Sequence, residues 1–599
     1  MKIKRIVLSV LFLAFCLFVL MGTLRPFVEE TALQTPFYTT SAFAHDMMSH
    51  VGGMLFLAAS FLQSCFSIPW LGTLLLALLL LLLALSICWA FKVDCELEPL
   101  CLVPSVALLL NYTQVGYLIY LLKVPAIAFT APLGLLVSVL LTGLWLRIRK
   151  WQLRILLVLL FCTAGYWFLG VYAVFAACLT GFLSIGTFLH NRTHKSELAL
   201  GLTLLVAIIV VPSVLYDLSC FMMLPRDIYL SGLPDFHWSS SERSYFYPLI
   251  VAVALIVVLA FCKMRKLRRW LWWASAAVYA LALYVCYQSS YRDANFLTTL
   301  QYKHLADEGR FDDIVALSRQ IDHEPTRAEV MYTRLALFET GRMGDELFQY
   351  SDGDAPYNSP REFQYLRLLA ARQIYYYLGK VNFAYRWAME DMVEYGHRPE
   401  YLIYLAKCAL LNKEDKLAYK YLDELKYSPW YRDVANQYMP YVNNPALVKN
   451  DRQMAKILPM LQYEDVLDAD AGMIEMYVLN SFAYTDGGSR QMVELSLMCN
   501  LITKNLNSAW QRFMILLPTW HGHIPRHYQE AALMISQLSG GRINVSSLPI
   551  DNEIRQSFNN LVQASAQNGD NNQNAQLLKP EFGGTYWYYY FFVNGLKTN

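Results

Sequence analysis

Long uncharged apolar runs separate roughly the first 290 residues from the rest of the chain. In residues 1–290 these runs follow one another with short polar gaps, and a helix needs ~20 mostly apolar residues to span a bilayer. After residue 300 apolar residues recur at three-to-four spacing between charged ones, which is typical of amphipathic helices. The pattern predicts an all-α chain, with a multi-pass transmembrane domain at 1–290 and a helical extramembrane domain at 291–599.

We predict about eleven transmembrane helices in the first domain. The first is a retained anchor, because "LMGTLRPF" offers no small-x-small cleavage site. The stretch "LLNYTQVGYLIYLLK" interrupts the fourth and fifth spans, so the number of spans between residues 97 and 124 stays open. Counting one helix there in place of two would reverse every later loop. The approximate spans are 6–24, 51–67, 70–91, 97–111, 112–122, 125–146, 154–170, 171–189, 197–216, 246–262 and 270–287.

The lysines and arginines of the loops decide between these alternatives. With eleven spans, fourteen of them fall on one side, including the run "KMRKLRR" at 263–269, and only five fall on the other side. Positive loops stay in the cytoplasm. The sequence therefore predicts a protein of the bacterial inner (cell) membrane, with a cytoplasmic N-terminus and a periplasmic or otherwise extracytoplasmic second domain.

The charge balance of the second domain argues against nucleic acid as a partner. Residues 288–599 hold 30 Lys and Arg against 36 Asp and Glu, so they lack the basic face that nucleic acid requires. We expect membrane lipid as a partner and no nucleic acid. Ten of the twelve cysteines lie in the membrane domain. Cys95 and Cys101 flank a short loop and could pair in an oxidising compartment; otherwise they are small buried residues.

The second domain carries recurring turns between its helices. Gly309, Gly341, Gly379 and Asn412 mark them at intervals of 32, 38 and 33 residues. Around the last two turns, Ala384-Tyr385 and Ala418-Tyr419 occupy equivalent places. These stretches resemble tetratricopeptide repeats, whose period is 34 residues. The resemblance implies an α-α solenoid whose concave surface binds a protein or peptide.

The first loop predicted outside the membrane, residues 25–50, holds one candidate site. Glu29, Glu30 and Asp46 are candidate catalytic groups, because a carboxylate there can act as a base or hold a divalent metal near an acceptor hydroxyl. Arg25 is a candidate for binding phosphate, and His50 shares a helical face with Asp46. The alternative is that these residues are ordinary solvated charges.

The other large outside loop, residues 223–238, holds the remaining candidates. Arg226 is a candidate for binding a phosphate of a polyprenyl-linked sugar. Asp227, Asp235 and His237 are candidate supporting residues, although an Arg–Asp neighbour pair often only fixes a loop.

Two further groups of polar residues carry weaker signals. In "WHGHIPRH" (520–527) Pro525 breaks the helix that would join His523 and His527, so we predict no metal site there. Asn111, Gln114 and Lys123 lie at the interrupted spans, where a short re-entrant turn would satisfy their polar groups.

Three stretches, "FLQSCFSIPWLG" (61–72), "GYWFLG" (165–170) and "FGGTYWYYYFF" (582–592), together with the repeat-like half, resemble an uncharacterised family of bacterial multi-pass membrane proteins. That resemblance implies no activity. In architecture the chain also resembles GT-C-type transmembrane O-mannosyltransferases with tetratricopeptide repeats, although the first outside loop lacks their aspartate pair.

Two hypotheses follow. The chain is either a membrane-anchored envelope scaffold that binds protein partners through its repeats, or a transferase that moves a sugar from a lipid-linked donor, with a divalent metal as its only implied cofactor.

Overall fold

The computed structural model describes residues 2–123, 126–190, 195–219, 229–235, 242–262, 270–353, 360–462, 467, 472–485, 487–567 and 571–593, and these residues form helices without a β-sheet. The chain makes two compact units. Unit 1 comprises Met1–Asp293, Met392–Leu402 and Leu422–Gln437, and unit 2 comprises Ala294–Asp391, Ile403–Tyr421 and Tyr438–Asn599. One division between the units lies between Asp293 and Ala294, and two later segments belong to unit 1.

Most of unit 1 is a bundle of apolar helices. Among the described residues, eight helical segments are long and apolar enough to cross a membrane: Ile3–Thr23, Pro69–Phe91, Ile127–Arg147, Trp151–Leu169, Val171–Leu189, Glu197–Asp217, Ser244–Phe261 and Trp270–Ser289. The α-helices are α1 (Lys2–Leu17), α2 (Arg25–Leu33), α3 (Ser41–Met48), α4 (Gly53–Ser64), α5 (Pro69–Phe91), α6 (Glu98–Thr113), α7 (Ile127–Arg147), α8 (Trp151–Leu160), α9 (Tyr166–Leu169), α10 (Val171–His190), α11 (Lys195–Ser219), α12 (Tyr247–Phe261) and α13 (Trp270–Ser289).

Three of the eleven predicted spans are shorter than a full crossing, so that count is not confirmed. Helix α4 has 12 residues, about 18 Å of α-helix, and α6 has 16. The stretch predicted to span at 112–122 is not an α-helix, since α6 ends at Thr113 and a 3-10 segment follows at Gly116–Leu121. Gly116 has φ +51°, and a Cβ there would lie 2.7 Å from the Tyr291 ring. A helix cannot continue through this residue.

Contacts near residue 5 show which helix ends lie together. The Lys4 ammonium lies 4.0 Å from the centre of the Trp272 ring, and the Arg5 guanidinium binds the Glu98 carboxylate. Ser275 Oγ donates to the Glu96 carbonyl at 2.7 Å. The connection 92–97 therefore lies at the same end of the bundle as residue 5. The predicted count of spans had placed it at the opposite end, because it treated residues 51–67 as a crossing.

At the opposite end of the bundle, backbone hydrogen bonds connect neighbouring segments of the chain. Tyr291 N–H donates to the Thr113 carbonyl at 2.9 Å, and Lys123 N–H donates to the Asp235 carbonyl at 3.0 Å. Helix α6 connects the two ends, since Glu98 at its start binds Arg5 and Thr113 at its end accepts from Tyr291. Residue 5 and residue 291 therefore lie near opposite ends of α6.

Helices α10 and α11 pack through small residues. A Cβ on Gly201 would lie 2.9 Å from the Gly181 carbonyl oxygen and 2.7 Å from the Cγ1 atom of Ile185. We expect Gly201→Ala to destabilise the protein by about 1–3 kcal/mol, because the helices must separate. Gly22→Ala is the matched control, since its Cβ would meet only the Phe18 ring at 3.6 Å. Equal thermal midpoints for the two variants in detergent would contradict this packing.

Unit 2 contains helix pairs joined by one recurring turn. At Gly309, Gly341, Gly379, Lys413 and Lys504 the backbone has φ between +61° and +73°, and the next N–H donates to the carbonyl five residues back at 2.8–2.9 Å. This is the Schellman geometry of helix C-termini. The predicted glycine turns lie at the first three positions, whereas the fourth left-handed residue is Lys413 rather than Asn412.

The helices that lie wholly or partly in unit 2 are α14 (Ala294–Asp307), α15 (Phe311–Ser318), α16 (Arg327–Glu339), α17 (Met343–Glu346), α18 (Pro360–Tyr377), α19 (Val381–Tyr395), α20 (Pro399–Leu411), α21 (Asp415–Lys426), α23 (Pro445–Asn450), α24 (Met454–Ile457), α25 (Ile474–Ala483), α26 (Arg490–Ile502), α27 (Leu506–Leu516), α28 (Arg526–Leu538), α29 (Asn552–Gln567), α30 (Asn571–Phe582) and α31 (Tyr586–Phe592), while α22 (Arg432–Tyr438) lies almost entirely in unit 1.

The C-terminal region of unit 2 is helical. Among the described residues, the polar tract 565–576 lies in α29 and α30. Helix α31 buries Tyr586 and Trp587. Glu530 fixes this helix, since its carboxylate accepts the Tyr586 N–H at 2.8 Å and its carbonyl accepts the Trp587 Nε1–H at 2.7 Å.

Candidate functional site

Helix α2 places the two neighbouring predicted carboxylates in different surroundings. Glu29 is partly exposed and forms an ion pair with Arg25 at 2.9 Å, one helical turn away. Glu30 is fully buried, with 0% of its surface exposed. Consecutive helical residues point about 100° apart, and in α2 the buried side includes Glu30 and Thr31 while Glu29 lies on the partly exposed side. Glu30 is therefore the predicted residue that belongs to a built polar site.

Gln34 lies at the centre of that site. Its Nε2 donates to the Glu30 carboxylate at 2.7 Å and also to the carboxylate of Glu400. Its Oε1 accepts from Arg398 Nη1 at 2.6 Å, and the second Arg398 nitrogen donates to the Leu122 carbonyl. All four polar side chains are at most 5% exposed. We name Glu30, Gln34, Arg398 and Glu400 the polar knot.

The polar knot ties segments distant in sequence into unit 1. Residues 398 and 400 belong to Met392–Leu402, one of the two later segments of that unit. The polar knot buries two carboxylates and one guanidinium, and Gln34 binds all three of them. Buried charged groups require such polar partners, and here the chain's own residues supply them.

Further hydrogen bonds surround the polar knot. Tyr38 O–H donates to the His397 carbonyl at 2.7 Å, and Thr39 N–H donates to the Tyr427 carbonyl at 3.0 Å. Trp430 Nε1–H donates to Ser64 Oγ at 2.9 Å. Burial raises the pKa of Tyr38 well above its ordinary value, so this hydroxyl keeps its proton and remains a donor. Residues 34–64 are thus bonded repeatedly to residues 392–437.

The polar contacts continue into the apolar bundle. Thr31 Oγ1 lies 3.0 Å from the Tyr112 hydroxyl, and Gln63 Nε2 donates to Thr35 Oγ1 at 2.7 Å. The side-chain oxygen Oε1 of Gln63 in turn accepts the Ala128 N–H at 2.8 Å. These bonds satisfy buried polar groups and fix α2 against the neighbouring helices.

The other predicted site residues lie outside the polar knot or outside the described part of the chain. Asp46 is exposed on α3, and its backbone carbonyl, rather than its carboxylate, lies 3.0 Å from His50 Nδ1. Asp235 is exposed, and its carbonyl accepts the Lys123 N–H described above. Arg226, Asp227 and His237 lie outside the described residues.

At the interrupted spans, the polar residues are bonded. Asn111 Nδ2 donates to the Tyr245 hydroxyl at 2.6 Å, and Gln114 Nε2 donates to the Tyr245 carbonyl at 2.8 Å. Lys123 forms an ion pair with Glu394 at 2.8 Å.

Metal-binding geometry is absent from the described part of the chain, where no group of three or more His, Cys, Asp and Glu side chains is arranged to hold an ion. His521 and His523 are exposed, whereas His527 is fully buried. His527 Nδ1 lies 2.9 Å from the Glu530 carboxylate, and its Nε2 accepts the Phe348 N–H at 3.3 Å. This histidine is therefore a packed structural residue.

Unit 2 holds a second buried cluster, around Lys407. Its ammonium lies 5.5–5.6 Å from the centres of the Tyr376, Tyr404 and Tyr438 rings and donates to Gln453 Oε1 at 3.2 Å. Burial lowers the pKa of Lys407. The aromatic cage thus holds the chain's own cation.

The sequence pattern did not point to three members of the polar knot. Gln34 in "LQTPF" and Arg398-Glu400 in "GHRPE" look like ordinary turn residues. Some 364 positions separate the bonded pair Gln34 and Arg398, and helical periodicity carries no information at that range.

Comparison with known proteins identifies a family over nearly the whole chain. No curated protein and no solved structure matches it. A family model described as a family of unknown function, DUF6057, matches residues 1–593. The chain therefore belongs to this family, DUF6057.

Proposed function

We propose that the protein is a membrane-anchored scaffold of the cell envelope, whose helical half binds a protein or peptide partner. One observation carries the proposal: the first extramembrane segment is bonded to residues 392–437 of the same chain, through the polar knot and the hydrogen bonds around it. A transferase would need that segment to receive a lipid-linked donor and an acceptor. Here Glu30, its one deeply buried predicted carboxylate, serves instead to hold the chain together.

The recurring Schellman turns support the binding half of the proposal. Five turns of one geometry join successive helices of unit 2, as expected if the helix pairs are tetratricopeptide-like repeats stacked in an α-α solenoid. Stacked repeats present an extended surface suited to peptides and protein segments.

We further propose that the end of the bundle near residue 5 is cytoplasmic. With the connection 92–97 moved to that end, Lys92 joins the fourteen positive residues already assigned there, and four remain on the other side. This asymmetry favours a cytoplasmic N-terminus and an extracytoplasmic helical half in a bacterial inner membrane.

A pair of reporter fusions tests this orientation. Alkaline phosphatase, which is active only outside the cytoplasm, is expected to be active after Asn599 and inactive after Cys95. The eleven-span count predicts activity at both positions, so the second fusion separates the two topologies. Activity after Cys95 alone would reverse the proposed orientation.

Site-specific photocrosslinking in living cells tests the scaffold. A benzophenone amino acid at Tyr484, which is 78% exposed in unit 2, is expected to give a discrete adduct with one envelope protein. The same probe at Val258, which is 60% exposed on α12, is the control and is expected to label lipid. An absence of protein adducts at Tyr484 and at Leu538, which is 51% exposed, would contradict the proposal.

Substitution of the exposed carboxylates tests the transferase alternative directly. We expect Glu29→Ala and Asp46→Ala to leave expression and cell-surface glycans unchanged, because a scaffold does not use these side chains. Loss of a surface glycan in either variant, at normal protein levels, would sink the scaffold proposal in favour of a transferase.

A further inference from the structure

Two cysteines meet where helices α5 and α6 are connected. Cys88 lies in the last turn of α5 and Cys101 in the first turn of α6, on either side of the connection 92–97. Their side chains interact directly with each other. Ser105 Oγ donates to the Leu80 carbonyl at 2.6 Å and holds the two helices together further along. The two sulfurs therefore face each other across an antiparallel helix pair.

The two thiols differ in access. Cys101 is 1% exposed, and its sulfur lies 4.0 Å from the Leu97 carbonyl. Cys88 is partly exposed. The sequence suggested Cys95 as a partner for Cys101, but all three are unbonded thiols in the structure, and Cys101 has Cys88 beside it. A partly open thiol next to a buried one is the arrangement of a reacting and a resolving cysteine.

We propose that Cys88 and Cys101 form a redox-active pair, which a small disulfide of the glutathione type converts into a disulfide between α5 and α6. The Cys88 thiolate attacks the small disulfide, forms a mixed disulfide and releases one small thiol. The Cys101 thiolate then attacks the Cys88 sulfur and releases the second small thiol. Two protein thiols are oxidised, one small disulfide is reduced to two thiols, and the protons of the protein thiols pass to the released thiolates.

The structure distinguishes this pair from two other cysteines of the bundle, Cys16 and Cys286. Cys16 and Cys286 are also near each other, but both are completely buried at 0% exposure. A reagent therefore has no route to either sulfur, because exchange requires access to the attacking thiolate. The inference does not depend on the proposed function.

Thiol mapping of the full-length protein in detergent tests the pair. The folded protein is treated with oxidised glutathione and then denatured, the remaining thiols are alkylated, and the digested peptides are identified by mass spectrometry. We expect a Cys88–Cys101 cross-linked peptide, while Cys16 and Cys286 are recovered as alkylated thiols. The cross-link closes a short loop, so we expect oxidation to raise the thermal midpoint by about 5 °C.

Three variants make the test specific. Cys95→Ser is expected to form the same cross-link, whereas Cys88→Ser is not. Cys101→Ser is expected to retain glutathione on Cys88, because the resolving thiol is gone. A cross-link that requires Cys95, or recovery of both Cys88 and Cys101 as alkylated thiols after the folded wild-type protein has been treated with oxidised glutathione, would overturn the proposal. The wild-type map decides the matter even if a variant fails to fold.

Discussion

Replacing Arg398 with alanine is expected to lower the free energy of unfolding by about 3–5 kcal/mol, because it leaves the buried oxygens of Gln34 and Leu122 without their charged donor and removes the guanidinium of a site that also holds two carboxylates. The guanidinium donates to Gln34 Oε1 at 2.6 Å and to the Leu122 carbonyl, and only 3% of the residue is exposed. A group this deeply buried cannot be replaced by water without opening unit 1.

Arg25→Ala is the matched control for this substitution. It removes the same side chain from an exposed ion pair, with 62% of the Arg25 side chain accessible, and such pairs contribute about 0–1 kcal/mol. Thermal midpoints in detergent, together with protease cleavage within 392–402, measure the difference. If the two variants were equally stable, the polar knot would not be a structural tie, and the main support for the scaffold would be lost.

Replacing Glu475 with alanine is expected to have an effect of similar size in unit 2, again about 3–5 kcal/mol. Its carboxylate is 2% exposed and accepts from Arg327 Nε at 2.8 Å and from Arg334 Nη1 at 2.7 Å. Asp352 binds both arginines as well. Without Glu475, two buried guanidinium groups would share one carboxylate and one carbonyl of Asp352, so an uncompensated charge would remain in the interior.

A surface acid of the same unit provides the control for Glu475. Asp312 forms an exposed ion pair with Arg342, with 75% of the Asp312 side chain accessible. We expect no measurable change in the thermal midpoint for Asp312→Ala. A second variant, Glu475→Gln, retains the shape of the side chain but not its charge. We expect it to lower the thermal midpoint as Glu475→Ala does. A Gln variant as stable as the wild type would show that packing, not charge, holds α16 to α25.

Hydropathy identified the long membrane helices because it depends only on local composition. The predicted spans 70–91 and 125–146 correspond to Pro69–Phe91 and Ile127–Arg147. It failed at residues 51–67, which are apolar but yield a helix of only 12 residues. There, Gly52 turns the chain with φ +81°, and Pro69 starts the next helix. Composition does not show where a local turn will end a helix.

The candidate site shows a different limit. The sequence singled out Glu29 and Glu30 alike as candidate carboxylates, yet in the structure Glu30 is buried and Glu29 is partly exposed. Which of them is buried depends on what packs against α2, and that includes Arg398 and Glu400. These residues come from a region whose own pattern is that of repeat-like helices, so their roles could be assigned only once the two segments were seen together.

The inclusion of residues 392–402 and 422–437 in unit 1 has a practical consequence for dividing this protein. A polypeptide stopped at residue 293 would contain every apolar span but would lack the arginine that binds Gln34 and the carbonyl that receives Tyr38. Glu30 would then lie in a surface that residues 398 and 400 cover in the full-length protein. Expression of the hydrophobic part alone should therefore yield poorly folded material, and the smallest self-sufficient version of the membrane body extends past residue 437.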